Sequence, residues 1–194
     1  MALEVELKAH VQDVDLVKNR LSSLAENGTV LCEVKDDIYY CNQGEDALFR
    51  IRLSQEGPSF DQMEGTVLFT RKYKSLAEGV EVNREVEFTT DPSQFATAQA
   101  FMLSLGYEQY IRKAKRGYLY TFAVSPLLPS VHAELVEVST LGWFLELEFI
   151  VESDALVPVA KKALTETLER LGLEQTAVES RYYMHLLKEV QSRG

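Results

Sequence analysis

The sequence predicts an α+β protein: an antiparallel sheet of eight strands, closed into a β-barrel, with three or four flanking helices. Three observations lead there. Apolar and polar residues alternate with period two over eight separate segments, which marks strands with one apolar face. The stretches between them are mostly short, and short connections join antiparallel neighbours more readily than parallel ones. Only four stretches carry the periodicity of an amphipathic helix. Eight strands are enough for a sheet to close on itself, which removes its edges.

The first strand is expected over 2–10, where Leu3, Val5 and Leu7 alternate with Glu4, Glu6 and Lys8. In "DVDLVKNRLSSLAENG", Val14, Val17, Leu21 and Leu24 form one helical stripe that ends at Gly28, a helix stop. Strands follow at 29–41, 47–54, 66–74 and 80–89, with "NQGED", "EGPSFDQMEG" and "SLAEG" as the turns between them. "DPSQFATAQAFMLSLG" begins on an Asp or Ser cap and stops at Gly106. Strands 107–122, 131–138 and 142–151 come next, the first two separated by "SPLLPS". "DALVPVAKKALTETLERLGL" and "TAVESRYYMHLLKEV" then read as amphipathic helices. No repeat, low-complexity run or Pro/Gly/Ser-rich linker divides the 194 residues, so one domain over 1–194 is expected.

Composition narrows the function. A formal net charge of −10 argues against general affinity for nucleic acid or anionic membranes. No long apolar run appears, and "MALEVELK" lacks the basic and apolar regions of a secretory signal, so a cytoplasmic protein is expected. Cys32 and Cys41, the two cysteines, are expected as reduced thiols on a strand. The sequence contains no GxxxxGK[ST] loop, HExxH pair, GxSxG elbow, EF-hand loop or GxGxxG after a strand. His10, His132 and His185 are widely spaced and are expected as surface or satisfied core residues.

The charges themselves fall into rows. Glu4, Glu6 and Lys8 share one strand face; so do Arg50 with Arg52, Lys72 with Lys74, and Lys113 with Lys115. Glu81, Asn83, Glu85 and Glu87 make an acidic row, and Glu146 with Glu148 another. Any single strand with a solvated face shows this alternation. Like charges two residues apart, however, lie about 7 Å from one another and repel by roughly 2 kcal/mol at an effective dielectric near 20. Repetition of that cost over several strands points to a ligand: a divalent cation for the acids and a polyanion for the bases. Turning the charged face inward brings both sets into one lumen and leaves the apolar face outside to pack on the helices.

These residues resemble the CYTH, or triphosphate tunnel metalloenzyme, family, whose members include class IV adenylyl cyclases, thiamine triphosphatases and inorganic tripolyphosphatases. "EVELK" at 4–8 is similar to the family's ExExK signature. It is followed in the family's order by "RIR" (Arg50, Arg52), "TRK" ending at Lys72, "REVE" (Glu85, Glu87), "KAK" (Lys113, Lys115) and "LGWFLELE" (Glu146, Glu148). "SRYYMHLL" is similar to the segment that ends many cyclase-type members, and the resemblance runs from residue 4 to about 187. Two positions depart from the pattern. Lys115 stands where many members carry Arg, which removes a bidentate fork on phosphate, and Val136 stands where an Asp is common, with Glu134 on the same face as a substitute.

The resemblance implies a tunnel in which Lys8, Arg50, Arg52, Lys72, Lys113 and Lys115 hold a triphosphate. It implies Mg²⁺ or Mn²⁺ held by Glu4, Glu6, Glu146 and Glu148, with Glu85 or Glu87 and the substitute Glu134. Glu4, Glu6, Lys8, Glu146 and Glu148 are the expected catalytic set. Surrounding carboxylates raise the pKa of a lysine, so Lys8 is assigned to phosphate or carboxylate contact rather than to base chemistry. The expected partners are small-molecule triphosphates: ATP, tripolyphosphate or thiamine triphosphate. Length, "LGWFLELE" and "SRYYMHLL" lean toward an adenylate cyclase making cyclic AMP and pyrophosphate. The alternatives are a phosphohydrolase of tripolyphosphate, thiamine triphosphate or nucleoside triphosphates, and a non-catalytic module that binds polyphosphate or acidic peptides. The apolar content of the C-terminal helices, with the dimers known among cyclase-type relatives, suggests a homodimer.

Overall fold

A computed structural model describes residues 2–77 and 80–193, with backbone alone for 74–77 and 81. The strands are β1 (Leu3–His10), β2 (Val30–Cys41), β3 (Phe49–Ser59), β4 (Gln62–Ala77), β5 (Val80–Thr90), β6 (Glu108–Phe122), β7 (Val131–Val138) and β8 (Gly142–Val151). Four α-helices accompany them: α1 (Val14–Leu24), α2 (Phe95–Ser104), α3 (Val157–Arg170) and α4 (Tyr183–Gln191). The strands close in the order β1-β5-β4-β3-β2-β6-β7-β8, and β8 pairs back onto β1. Every pairing is antiparallel. The expected α+β barrel is therefore the fold.

Period two decides which side chains go where. The odd residues of β1 (Leu3, Val5, Leu7, Ala9) join Leu145, Leu147 and Phe149 of β8 in an outer layer, packed on Val17 and Leu21 of α1 and Ala160, Leu164 and Leu168 of α3. Full burial of each such side chain contributes about 1.5–3 kcal/mol. A smaller layer of Ile38, Tyr40, Ile51 and Val67 packs on Ala98 of α2. A third cluster differs in kind: Val136, Val138 and Phe144 share the parity of Glu134 and Glu146, so they face the lumen, and Tyr183 and Leu186 of α4 cover them there. The buried stripes of α3 and α4 are thus used on the barrel, while Val159 and Val190 on the same helices stay exposed.

Local signals place the helices. Asp13 caps α1 by accepting from Leu16 N at 2.9 Å, and Asp91 accepts from Ser93 N at 2.9 Å to start the turn before α2. Three expectations are corrected. "EGPSFDQMEG" is not a long turn: β3 runs to Ser59 and β4 starts at Gln62, with Glu56 opposite Glu64. Ladder pairing overrides the local breakers, and the register shifts between Glu56 and Ser59, around Pro58, which has no N–H to give to a ladder. "SLAEG" is likewise mostly strand, since β4 continues to Ala77; Glu78 and Gly79 lie outside the described residues. The last helix starts at Tyr183 rather than near 176, because Val178 forms an isolated bridge with Ala9 and Glu179 N donates to Lys8 O at 2.8 Å.

Candidate active site in the barrel lumen

Glu4, Glu6 and Lys8, even residues of β1, enter a cavity of about 120 Å³ that is partly open to solvent. Eleven of the residues expected from the sequence line it: Glu4, Glu6, Lys8, Arg50, Arg52, Lys72, Lys113, Lys115, Glu134, Glu146 and Glu148. Cross-strand register explains the convergence, since Glu6 lies opposite Glu148 and Lys8 opposite Glu146. Glu85 and Glu87 of β5 contact residues of the lining. Glu85 pairs with Lys72, and Glu87 accepts from Thr70 Oγ1 at 2.5 Å. The side chains of Lys74 and Glu81 lie outside the described residues.

Several of the bases are oriented by acids. Lys72 donates to Glu4 Oε2 at 2.6 Å, and Lys115 donates to Glu146 Oε2 at 2.5 Å and to Glu134 Oε2 at 3.4 Å. Burial would lower the pKa of Lys72 and of Lys115, but the carboxylates around them outweigh it, so both ammonium groups are held charged. Lys115 stands on the lumen side as expected, while Arg116 points outward over the Phe60 ring at 3.9 Å. Glu134 reaches the cavity, and Val136 is covered by the α4 cluster.

Glu6 of β1 and Glu148 of β8 are less well paired. Glu4, Glu6 and Glu148 each offer a carboxylate oxygen within 4.8 Å of the others. Burial, then Glu4 and Glu6, push the pKa of Glu148 well above the usual range, and burial with Glu146 and Glu4 raises Glu6. Desolvated like charges with too few partners behave this way, and a hard dication relieves them, since it prefers carboxylate oxygen. The three residues therefore fit a divalent metal. Glu146 differs: it is held by Lys115 and by the Tyr183 hydroxyl, which donates to its Oε1 at 2.6 Å.

Sequence reasoning missed the lumen row of β2, namely Glu33, Lys35, Asp37 and Tyr39. Asp37 is fully buried and accepts from Arg52 Nε at 2.6 Å and Nη2 at 3.0 Å, with Lys113 Nζ at 2.9 Å and Arg50 Nη1 at 3.8 Å. Burial alone would raise its pKa, yet Arg52, Lys113 and Arg50 hold it well below the usual carboxylate range. Lys35 pairs with Glu33 at 2.7 Å and Glu134 at 2.5 Å. The signal was present as a period-two row of charges over 33–37, but its signs alternate, and only like-charged pairs had marked a ligand. Thr70, the 47–49 segment and the 182–184 segment complete the lining and carry no charge pattern that a sequence would expose.

The sequence profile of the CYTH domain matches residues 2–183. The adenylate cyclase CyaB of Aeromonas hydrophila is 29% identical, with 96% of this chain and 89% of that protein covered. Among solved structures, the PH1819 protein of Pyrococcus horikoshii is similar at 26% identity and a TM-score of 0.70, over 96% of this chain and 98% of its own. A candidate adenylate cyclase of Vibrio parahaemolyticus aligns with a TM-score of 0.73 at 18% identity, over 96% and 98% of the two chains. A candidate adenylyl cyclase of Hippeastrum, HpAC1, which has a dominant triphosphatase activity, aligns with a TM-score of 0.61 at 14% identity, over 93% and 91%. These last two likenesses concern the fold.

Proposed function

Because the chain belongs to the CYTH domain family, we propose that it is a divalent-metal-dependent enzyme acting on a triphosphate inside its barrel, with ATP cyclisation to cyclic AMP and pyrophosphate as the favoured reaction. The observation that carries this reading is the inward-facing charge: among the described residues, six bases and five carboxylates line one cavity. The bases alone suit a polyanion. A bound triphosphate adds more negative charge than the bases offset once the carboxylates are counted, and Glu4, Glu6 and Glu148 supply the place for Mg²⁺ or Mn²⁺ that restores balance. A non-catalytic polyphosphate module has no use for that acidic triad, which would weaken its affinity.

In this reading Lys8, Arg50, Arg52, Lys72, Lys113 and Lys115 hold the phosphates. Glu4, Glu6 and Glu148 hold the metal, with Glu146 and Glu134 fixing Lys115 between them and Glu85 and Glu87 supporting from β5. The metal would neutralise charge developing on the phosphates. For cyclisation the ribose 3′-hydroxyl attacks the α-phosphate and pyrophosphate leaves. The second reading, a phosphohydrolase in which water attacks the terminal phosphate, is favoured by the Hippeastrum neighbour, whose dominant activity is that of a triphosphatase on the same fold. One enzyme domain over 1–194, cytoplasmic, belongs to the proposal; no helix among the described residues is long and apolar enough to cross a membrane.

Product analysis with ATP and with tripolyphosphate, under Mg²⁺ and under Mn²⁺, tests it. Cyclic AMP with pyrophosphate supports the cyclase, orthophosphate from tripolyphosphate supports the hydrolase, and no product from either substrate removes both. Glu148→Gln is expected to lower turnover at least about tenfold while leaving the melting temperature unchanged or higher, because it deletes a carboxyl crowded by like charge.

A further inference from the structure

Tyr183, the first residue of α4, stands inside the lumen and is 7% exposed. Its ring packs edge-on against Phe144 at 5.0 Å, and its hydroxyl donates to Glu146. Around the same ring lie three ammonium groups: Lys8 Nζ at 4.8 Å from the centroid, Lys113 Nζ at 4.9 Å and Lys115 Nζ at 5.1 Å. These come from β1 and β6, which are separated in the barrel by β7 and β8. Three positive charges gathered from two separate strands repel one another, and an aromatic face attracts each of them.

The ring's position is itself fixed from β1. Val178 bridges Ala9, and Glu179 N donates to the carbonyl of Lys8. The Glu179 carboxylate accepts from Arg181 N at 2.9 Å and Arg181 Nη2 at 2.6 Å, and His10 Nε2 lies 3.2 Å away. Arg181 in turn reaches Glu189 Oε2 at 3.1 Å, on the last turns of α4. The segment that aims Tyr183 is thus tied to the backbone of one of the lysines it meets.

We propose that Tyr183 is a positioning residue whose ring gathers Lys8, Lys113 and Lys115 into one cluster for the phosphate chain, with the hydroxyl on Glu146 setting the ring's angle. This rests on the reading that the lumen takes a triphosphate. A leucine at 183 keeps the apolar packing on Phe144 and Leu186 but offers the ammonium groups no π face, so they separate and bind a polyanion less well. A phenylalanine keeps the face.

Calorimetric titration of tripolyphosphate into metal-free protein tests this on wild type, Tyr183→Phe, Tyr183→Leu and Tyr183→Met, with melting curves for all four. Tyr183→Phe is expected to bind within about twofold of wild type, and both ring-less variants about tenfold more weakly. Equal melting temperatures for the Phe and the Leu or Met variants, with different affinities, separate positioning from packing. The Met variant stands in if the Leu variant does not fold. Wild-type affinity in a folded ring-less variant, or a loss in Tyr183→Phe as large as in Tyr183→Leu, overturns the role of the ring. Absence of tripolyphosphate binding by wild type itself would instead remove the triphosphate reading, and this inference with it.

Discussion

Asp37 receives two hydrogen bonds from Arg52 and pairs with Lys113 and Arg50, all on the inner wall. Removing one partner of such a buried set leaves the remaining charges uncompensated, at a cost of about 3–5 kcal/mol. Asp37→Asn is therefore expected to lose stability on that scale in denaturant titration and to recover part of it in tripolyphosphate, which replaces the missing anion. Glu33 behaves in the opposite sense. Burial, then Glu134, push its pKa up to about 7, so the folded state binds its proton more tightly than the unfolded chain does. Its contribution to stability is full below the unfolded value near 4.5 and is lost as pH rises from there through 7; the shift corresponds to about 3 kcal/mol at most. Glu33→Gln should flatten the stability–pH curve between pH 4.5 and 7 in urea melts. An unchanged curve would place the titrating group elsewhere. Both residues lie on the row that sequence reasoning passed over, because an alternation of acid and base along a strand looks the same whether it faces water or a lumen.

At the scale of elements, the β3–β4 hairpin shows how pairing overrides local signals. Gly57 and Pro58 read as turn residues, yet Gly57 pairs with Cys32. A Cβ at Gly57 would lie 1.8 Å from the carbonyl oxygen of Gln62, so the glycine is needed for close approach of two backbones, not for a turn. Gly57→Ala is expected to destabilise by roughly 2 kcal/mol or more, with hydrogen exchange accelerated first in residues 55–64. Helix α4 makes the converse point. Its amphipathic period is plain in the sequence, but the helix starts about seven residues into the periodic stretch, at Tyr183, because the segment before it is bound to β1.

For the whole molecule, the lumen brings together charges that the fold must hold against their own repulsion. Ligands that neutralise them should raise stability by mass action, about 2.7 kcal/mol at a hundredfold excess over Kd. Tripolyphosphate with Mn²⁺ is expected to raise the melting temperature more than either alone, and high salt should reduce the effect of tripolyphosphate. A melting temperature indifferent to both would argue against a charged binding lumen. Outside, the buried stripes of α3 and α4 are covered by the barrel, while Val86 and Phe88 of β5, Phe101 of α2, Val159 of α3 and Val190 of α4 remain exposed.

The sequence by itself determined the existence and order of eight strands, the bounds of six of them nearly to the residue, the inward face of six, and eleven residues of the cavity wall. It could do so because strand parity is a property of the local chain: a side chain two residues from a known inward one is also inward. The pairing of Asp37 with Arg52 and Lys113, the ion pair of Glu85 with Lys72, and the seating of Tyr183 among three lysines were decided only by the tertiary structure. Each depends on which strands become neighbours and how they are staggered around a closed ring. That information lies in barrel closure and in contacts far apart in sequence, where no local periodicity carries it.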